Sequence, residues 1–86
     1  MGTNFEDIAL SHLMEWVRAD RKTADKIYRL IQDIHRNGAE KGTGKPERLK
    51  HIKGWSRRID HANRLVYDID SEGNLHILSC KGHYED

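Results

Sequence analysis

Apolar residues recur at helical spacing along the first half of the chain and alternate with polar ones along the second. Leu10, Leu13, Met14 and Val17 fall at i, i+3, i+4 and i+7, behind Asn4 and Asp7, which are spaced for a capping box. The spacing predicts a first helix over about residues 5–19, with Trp16 on its flank. Asp20 is placed to cap a second helix over about residues 21–36, whose buried stripe is Ile27, Leu30, Ile31 and Ile34. Asn37-Gly38 ends it, because both residues tolerate a left-handed cap. Two amphipathic helices with so short a break suggest a helical hairpin laid on something flat.

The loop from Asn37 to Pro46 holds Gly38, Gly42 and Gly44 but lacks the Gly-Lys-Ser/Thr ending of a phosphate-binding P-loop. Strand-like runs follow at about 48–52, 55–60, 64–69 and 75–80, with connections so short that they allow only antiparallel pairing. Trp55, Ile59, Leu65, Tyr67 and Ile69 sit at odd positions and are assigned to the helix-facing side. Ser56, Arg58, Asp60, Arg64 and Asp68 take the outer side, with Val66 as the exception. This phase sets Arg58 opposite Arg64, since a one-residue slip would bury the polar set. Arg57 falls on the apolar side and is expected near an edge or against a carboxylate. Residues 1–4 carry no clear strand pattern, so a first strand is expected to be missing or irregular. The expectation is an α+β fold: one domain over residues 1–86, with a two-helix hairpin packed on a small twisted antiparallel sheet.

Composition narrows the class. The 86 residues are 36% hydrophobic and 34% charged, enough for one thin core and too apolar for a disordered chain. No apolar run is long enough for a membrane helix and no secretory pattern opens the chain, so a cytoplasmic protein with no membrane partner is expected. The single cysteine, Cys80, cannot form an internal disulfide and reads as a small core residue. The histidines show no metal-binding spacing, and His12 and His35 read as solvent-facing helix residues, so neither metal nor cofactor is expected.

The formal net charge of +1 hides an uneven distribution. Residues 1–40 carry a net −1 and residues 65–86 a net −4. Between them, residues 41–64 set eight Lys/Arg against Glu47 and Asp60, for a net +6. A block of this kind attracts polyanions. Two arginines opposed on an open sheet face also make sense if an anion lies between them, unless each pairs with Asp60 or Asp68.

Glu47, Arg58, Arg64 and His83 are the residue types that metal-free RNA cleavage needs. A base takes the 2′-hydroxyl proton, cations stabilise the phosphorane, and an acid protonates the departing 5′-oxygen. Each well-placed proton-transfer group contributes roughly 10²–10⁴-fold. Tyr84, beside His83, can stack on a base.

The order of the motifs carries a resemblance. Gly44-Lys45-Pro46-Glu47-x-Leu49-Lys50, Trp55-Ser56-Arg57-Arg58-Ile59, Arg64-Leu65-Val66-Tyr67 and Cys80-Lys81-x-His83-Tyr84 together resemble the YoeB/Txe family, across essentially the whole chain. The resemblance implies the RelE-like microbial ribonuclease fold and the toxin half of a type II toxin–antitoxin module. It implies a metal-independent endoribonuclease that cuts mRNA in the ribosomal A site and leaves a 2′,3′-cyclic phosphate and a 5′-hydroxyl. By motif, Glu47 would be the general base, His83 the general acid and Arg64 the phosphorane stabiliser. Lys50 and Arg58 would contact phosphate, Lys45 and Arg57 would line the approach, and Tyr84 would orient the base. Implied partners are mRNA on the ribosome, ribosomal RNA and proteins near the A site, and a YefM/Phd-type antitoxin. Operator DNA would be bound only through the antitoxin complex, and a homodimer is a candidate assembly. The alternative reading is a catalytically weakened homologue that acts as an RNA- or antitoxin-binding module.

Overall fold

The computed structural model describes residues 2–83. In chain order they form β1 (Thr3–Phe5), α1 (Asp7–Ala19), α2 (Arg21–Asn37), β2 (Glu47–Arg48), β3 (Trp55–Arg58), β4 (Arg64–Ile69) and β5 (Leu75–Ser79). The strands make one sheet in the order β1-β5-β4-β3-β2, and both helices pack on one of its faces.

α2 begins and ends where its local chemistry dictates. The Asp20 carboxylate accepts from the Thr23 amide at 3.4 Å and from the Thr23 hydroxyl at 2.8 Å, which satisfies a donor that the first turn leaves open. Gly38 closes the other end at φ 89°, donating its N–H to the Ile34 carbonyl at 2.8 Å. Ile27, Leu30, Ile31 and Ile34 are buried.

α1 differs from its expected form. Asn4 lies in β1, so Glu6 takes the cap position and makes no side-chain cap bond. The Glu6 amide instead donates to the Ile77 carbonyl at 2.9 Å, extending the β1–β5 ladder to the residue that caps the helix. That tie sets the helix's rotation. Ala9 is buried with Leu13 and Trp16 against it, whereas Leu10, Met14 and Val17, three of the four residues of the expected stripe, are exposed.

The sheet is mixed. β2 to β5 pair antiparallel, and β1 joins the far edge parallel to β5, with Thr3 against Leu75 and Phe5 against Ile77. β3 and β4 pair Arg58 with Arg64, Arg57 with Leu65 and Trp55 with Tyr67. The expected 48–52 strand shrinks to Glu47–Arg48 because the Leu49 amide donates to the Gly54 carbonyl at 2.9 Å and turns the chain back. Gly54 sits at φ 148°, and a Cβ there would stand 2.9 Å from the Tyr67 carbonyl oxygen, so the turn lies flat on the sheet.

Ile59, Leu65, Tyr67, Leu75 and Ile77 meet α2's stripe, with Ala9 and Cys80 completing the core. Each fully buried aliphatic side chain of this kind contributes roughly 1.5–3 kcal/mol before conformational entropy is counted against it. The helices thereby fix one face of the sheet and leave the other open.

Candidate active site

The edge of the open face rests on a buried cation. Arg57 is 0% exposed, on the helix side of β3, as its parity requires. Its guanidinium uses all five N–H donors. Nε donates to the Tyr67 hydroxyl at 3.0 Å, and Nη2 to the carbonyls of Gly38 at 2.8 Å and Lys41 at 2.6 Å. Nη1 donates to the Thr43 carbonyl at 3.1 Å and to the Asp33 carboxylate. The Tyr67 hydroxyl in turn donates to the Ala39 carbonyl at 2.7 Å. Burial pushes the Asp33 carboxyl up, but hydrogen bonds from Arg57 and the Thr43 amide outweigh it and leave Asp33 below its ordinary value. Burial likewise raises the Tyr67 phenol.

Arg57 therefore does not line an approach for substrate. It holds the glycine-rich loop against the sheet, because its odd position points it at backbone carbonyls under the helices. The loop's glycines follow from the same closeness: a Cβ on Gly42 would lie 1.9 Å from an Asp33 oxygen. Gly44 accepts the Arg58 amide at 2.6 Å, so the loop delivers Lys45 and Glu47 alongside β3. Lys45 is exposed at φ 51°, a left-handed conformation uncommon for a lysine.

On the open face, Glu47 is paired with Ser56, and Ser56 with Val66. Paired residues point the same way, so Glu47 shares its face with Arg58 and Arg64 two positions along. Arg58, on the adjacent strand, is a diagonal neighbour of Glu47 at about 7–8 Å, and Arg64 lies one strand further, directly opposed to Arg58 at about 5 Å. Ser56 and Val66 are buried and form the floor between the carboxylate and the two arginines.

Among the described residues neither Arg58 nor Arg64 is in an ion pair. The two acids expected as their alternative partners, Asp60 and Asp68, are engaged elsewhere. Asp60 accepts from the amides of Ala62 at 2.8 Å and Asn63 at 2.7 Å, and from Asn63 Nδ2 at 3.1 Å. Burial pushes the Asp60 carboxyl up, but these bonds prevail and lower it. Asp68 faces Lys53 at 3.9 Å.

The segment carrying His83 is fastened on both sides. Trp16 Nε1 donates to the Cys80 carbonyl at 2.8 Å, and the Cys80 amide donates to His12 Nδ1 at 3.2 Å. Lys81 bonds Glu15 at 3.0 Å. The Gly82 amide donates to Asn63 Oδ1 at 2.8 Å, while the Gly82 carbonyl accepts the Arg64 amide at 3.0 Å. His83, exposed, leaves this clasp next to Arg64's backbone. His12 is thus half-buried and bonded rather than solvent-facing, and His35 is exposed and bonded to the Thr3 hydroxyl at 2.7 Å.

Lys50 is exposed in the turn after β2, three residues beyond Glu47. Tyr84 lies outside the described residues. Among the described residues, no three His, Cys, Asp or Glu side chains come together as a metal-holding group. Asp33 and Asn63 were missed by the sequence reading. Asn63 had a local signal, the Asp60-His61-Ala62-Asn63 turn pattern, whereas Asp33 on α2 had none.

The sequence profile described as the YoeB-like toxin of bacterial type II toxin-antitoxin system matches residues 5–84. The chain belongs to this toxin family. It is a toxin of a type II toxin–antitoxin system. It is 43% identical over 83 residues to Toxin YoeB of Mycobacterium bovis, covering 94% of this chain and 95% of the relative. The toxin's fold matches a chain of the heterotetrameric YoeB-YefM complex of Staphylococcus aureus, with TM-score 0.89, 41% identity and 98% of each chain covered. It matches the YoeB dimer of the same organism with TM-score 0.91, 41% identity and 98% of each chain covered.

Proposed function

We propose that this toxin is a metal-independent endoribonuclease that cuts mRNA in the ribosomal A site. The single observation that carries the reading is the open face itself, with Glu47, Arg58 and Arg64 on one side of the sheet and both arginines outside any ion pair among the described residues. Opposing two arginines costs on the order of 1 kcal/mol at ~4 Å in bulk water and about 4 kcal/mol near a protein surface, less in salt. A donor aimed at a charged transition state contributes about 2.7–4 kcal/mol, so two guanidiniums together outweigh that cost once a phosphorane lies between them.

In this mechanism Glu47 removes the 2′-hydroxyl proton and the oxygen attacks the adjacent phosphorus. Arg64, with Arg58, stabilises the dianionic phosphorane. His83 donates a proton to the leaving 5′-oxygen, giving a 2′,3′-cyclic phosphate and a 5′-hydroxyl. Lys45 and Lys50 lie along the approach on the side of Glu47, and Tyr84 orients the base. Arg57 acts indirectly, by holding the loop. No helix among the described residues is long and apolar enough to cross a membrane. A cytoplasmic site of action, beside ribosomal RNA and proteins of the A site, completes the reading.

The Staphylococcus aureus structures support two partners, a YefM/Phd-type antitoxin and a second copy of the toxin. Operator DNA would be reached only through the antitoxin complex. The test is induced expression followed by primer extension on ribosome-bound mRNA. Growth should stop with discrete A-site cuts, and Glu47→Ala or His83→Ala should relieve both. Arrest without cuts would replace the enzyme with a binding module, and full toxicity in both variants would overturn the catalytic assignment.

A further inference from the structure

The catalytic reading asks the chain to hold His83 at a definite place, yet His83 belongs to no strand or helix. Three residues ahead of it are each tied down. Cys80 and Lys81 are held by α1 through Trp16, His12 and Glu15. Gly82 is held by the β3–β4 turn instead.

That second attachment depends on one side chain. Asn63 Oδ1 accepts the Gly82 N–H at 2.8 Å, and Asn63 Nδ2 donates to both Asp60 oxygens at 3.1 Å. The amide is therefore used at both ends, with its orientation fixed by an acceptor-only carboxylate on one side and a donor-only amide on the other. The next residue, Arg64, donates its N–H to the Gly82 carbonyl at 3.0 Å. Gly82 itself sits at φ 85° with open space where a Cβ would be, so glycine is there for its backbone conformation. The peptide immediately before His83 is thus registered against the residue that opens β4.

We propose that Asn63 is a positioning residue for the reaction: by bridging Asp60 to the Gly82 amide, it fixes where the chain presents His83 relative to Arg64. This rests on the ribonuclease reading above. The turn does not need the bridge to exist, because the Ile59 and Asp60 amides both donate to the Asn63 carbonyl and the Asn63 amide reaches Asp60. Removing the side chain should therefore spare the fold and release the tail. A displacement of about 1 Å in a catalytic group can cost 10²-fold in rate.

Single-turnover cleavage of mRNA on programmed ribosomes tests this with Asn63→Ala, His83→Ala and the double variant. Asn63→Ala should lower the cleavage rate about 10–100-fold with little change in KM. In the His83→Ala background the same change should cost less than about twofold, because residues acting as one unit do not add. Exchange of the Gly82 amide should quicken at least tenfold in Asn63→Ala while the β4 amides keep their protection.

Asp60→Asn with Asn63→Asp reverses the donor and the acceptor across the bridge and should recover much of the rate that either single change loses. Were Asn63→Ala itself too unstable to assay, this swap would decide alone, and no recovery would overturn the proposal. Losses that multiply in the double variant, or an unchanged Gly82 amide, would also overturn it and leave the ribonuclease reading standing. An undiminished rate in His83→Ala would instead bring down that reading and this one together.

Discussion

Arg57 and Arg58 are neighbours on one strand with opposite fates. Arg57 points under the helices, is 0% exposed and spends every donor on a carboxylate, a phenol and three loop carbonyls. Arg58 points outward, faces Arg64 and has no carboxylate partner among the described residues. The residue type is the same, and strand parity alone decides whether the cation braces the fold or stands exposed on the open face. The comparison also shows why a site of this kind needs its brace: a loop with three glycines would otherwise carry Glu47 on a loose edge.

The largest way to break the comparison is from inside. Arg57→Met should destabilise the domain by about 3–5 kcal/mol, because it strands Asp33 and the loop carbonyls beneath the helices. A typical domain has only about 5–15 kcal/mol in all, so a urea titration should show most of the stability gone. From outside, Arg64→Ala should leave the denaturation midpoint nearly unchanged and slow cleavage roughly 10²–10³-fold in the ribosome assay. If the two variants exchanged phenotypes, the division of labour between the faces would be wrong.

Acid sharpens the contrast further. Asp33 and Asp60 lie below their ordinary value of 3.8, and a hydrogen bond from His76 leads the contacts that lower Asp70 to about 2. A depressed carboxylate stabilises the fold above its unfolded pKa, and that contribution disappears as pH falls through the folded one. Stability should hold down to about pH 4 and decline from there towards about pH 2, with a shallower decline in Asp33→Asn. Urea midpoints measured across that range check the sign. The smallest effect belongs to the outer pair Lys53–Asp68, 3.9 Å apart with the lysine 73% exposed. Lys53→Ala should cost no more than about 1 kcal/mol, against several for its buried counterpart.

What the sequence revealed follows from how local each signal is. Period-two alternation placed Arg58 opposite Arg64 because both strands flank one short turn. The α2 stripe was legible because its apolar face lies within the helix and its cap and terminating glycine immediately flank it. β1 was not legible, since three residues gain strand character only by pairing with Leu75 to Ile77, some seventy positions away. The α1 stripe was misassigned for the same reason, because a long-range tie at Glu6 turns the helix. Parity left Arg57 either near an edge or against a carboxylate, and its pairing with Asp33 depended on how α2 crosses the sheet. The face shared by Arg58 and Arg64 was visible in the pattern, whereas Glu47 joins it through the pairing of β2 with β3. The bonds that aim the tail, from Trp16, His12 and Asn63, were not.

Cys80 carries a practical consequence of its place in that tail. Its thiol is wholly buried, bonded to the Ala9 carbonyl, and pushed up to about 11 by burial and then by nearby Glu15. A thiol in that state is inert towards alkylating reagents until the segment lifts off α1. Because it is the chain's single sulfhydryl, the rate at which it becomes alkylated would serve as a clock for how often the toxin's business end detaches from its own body.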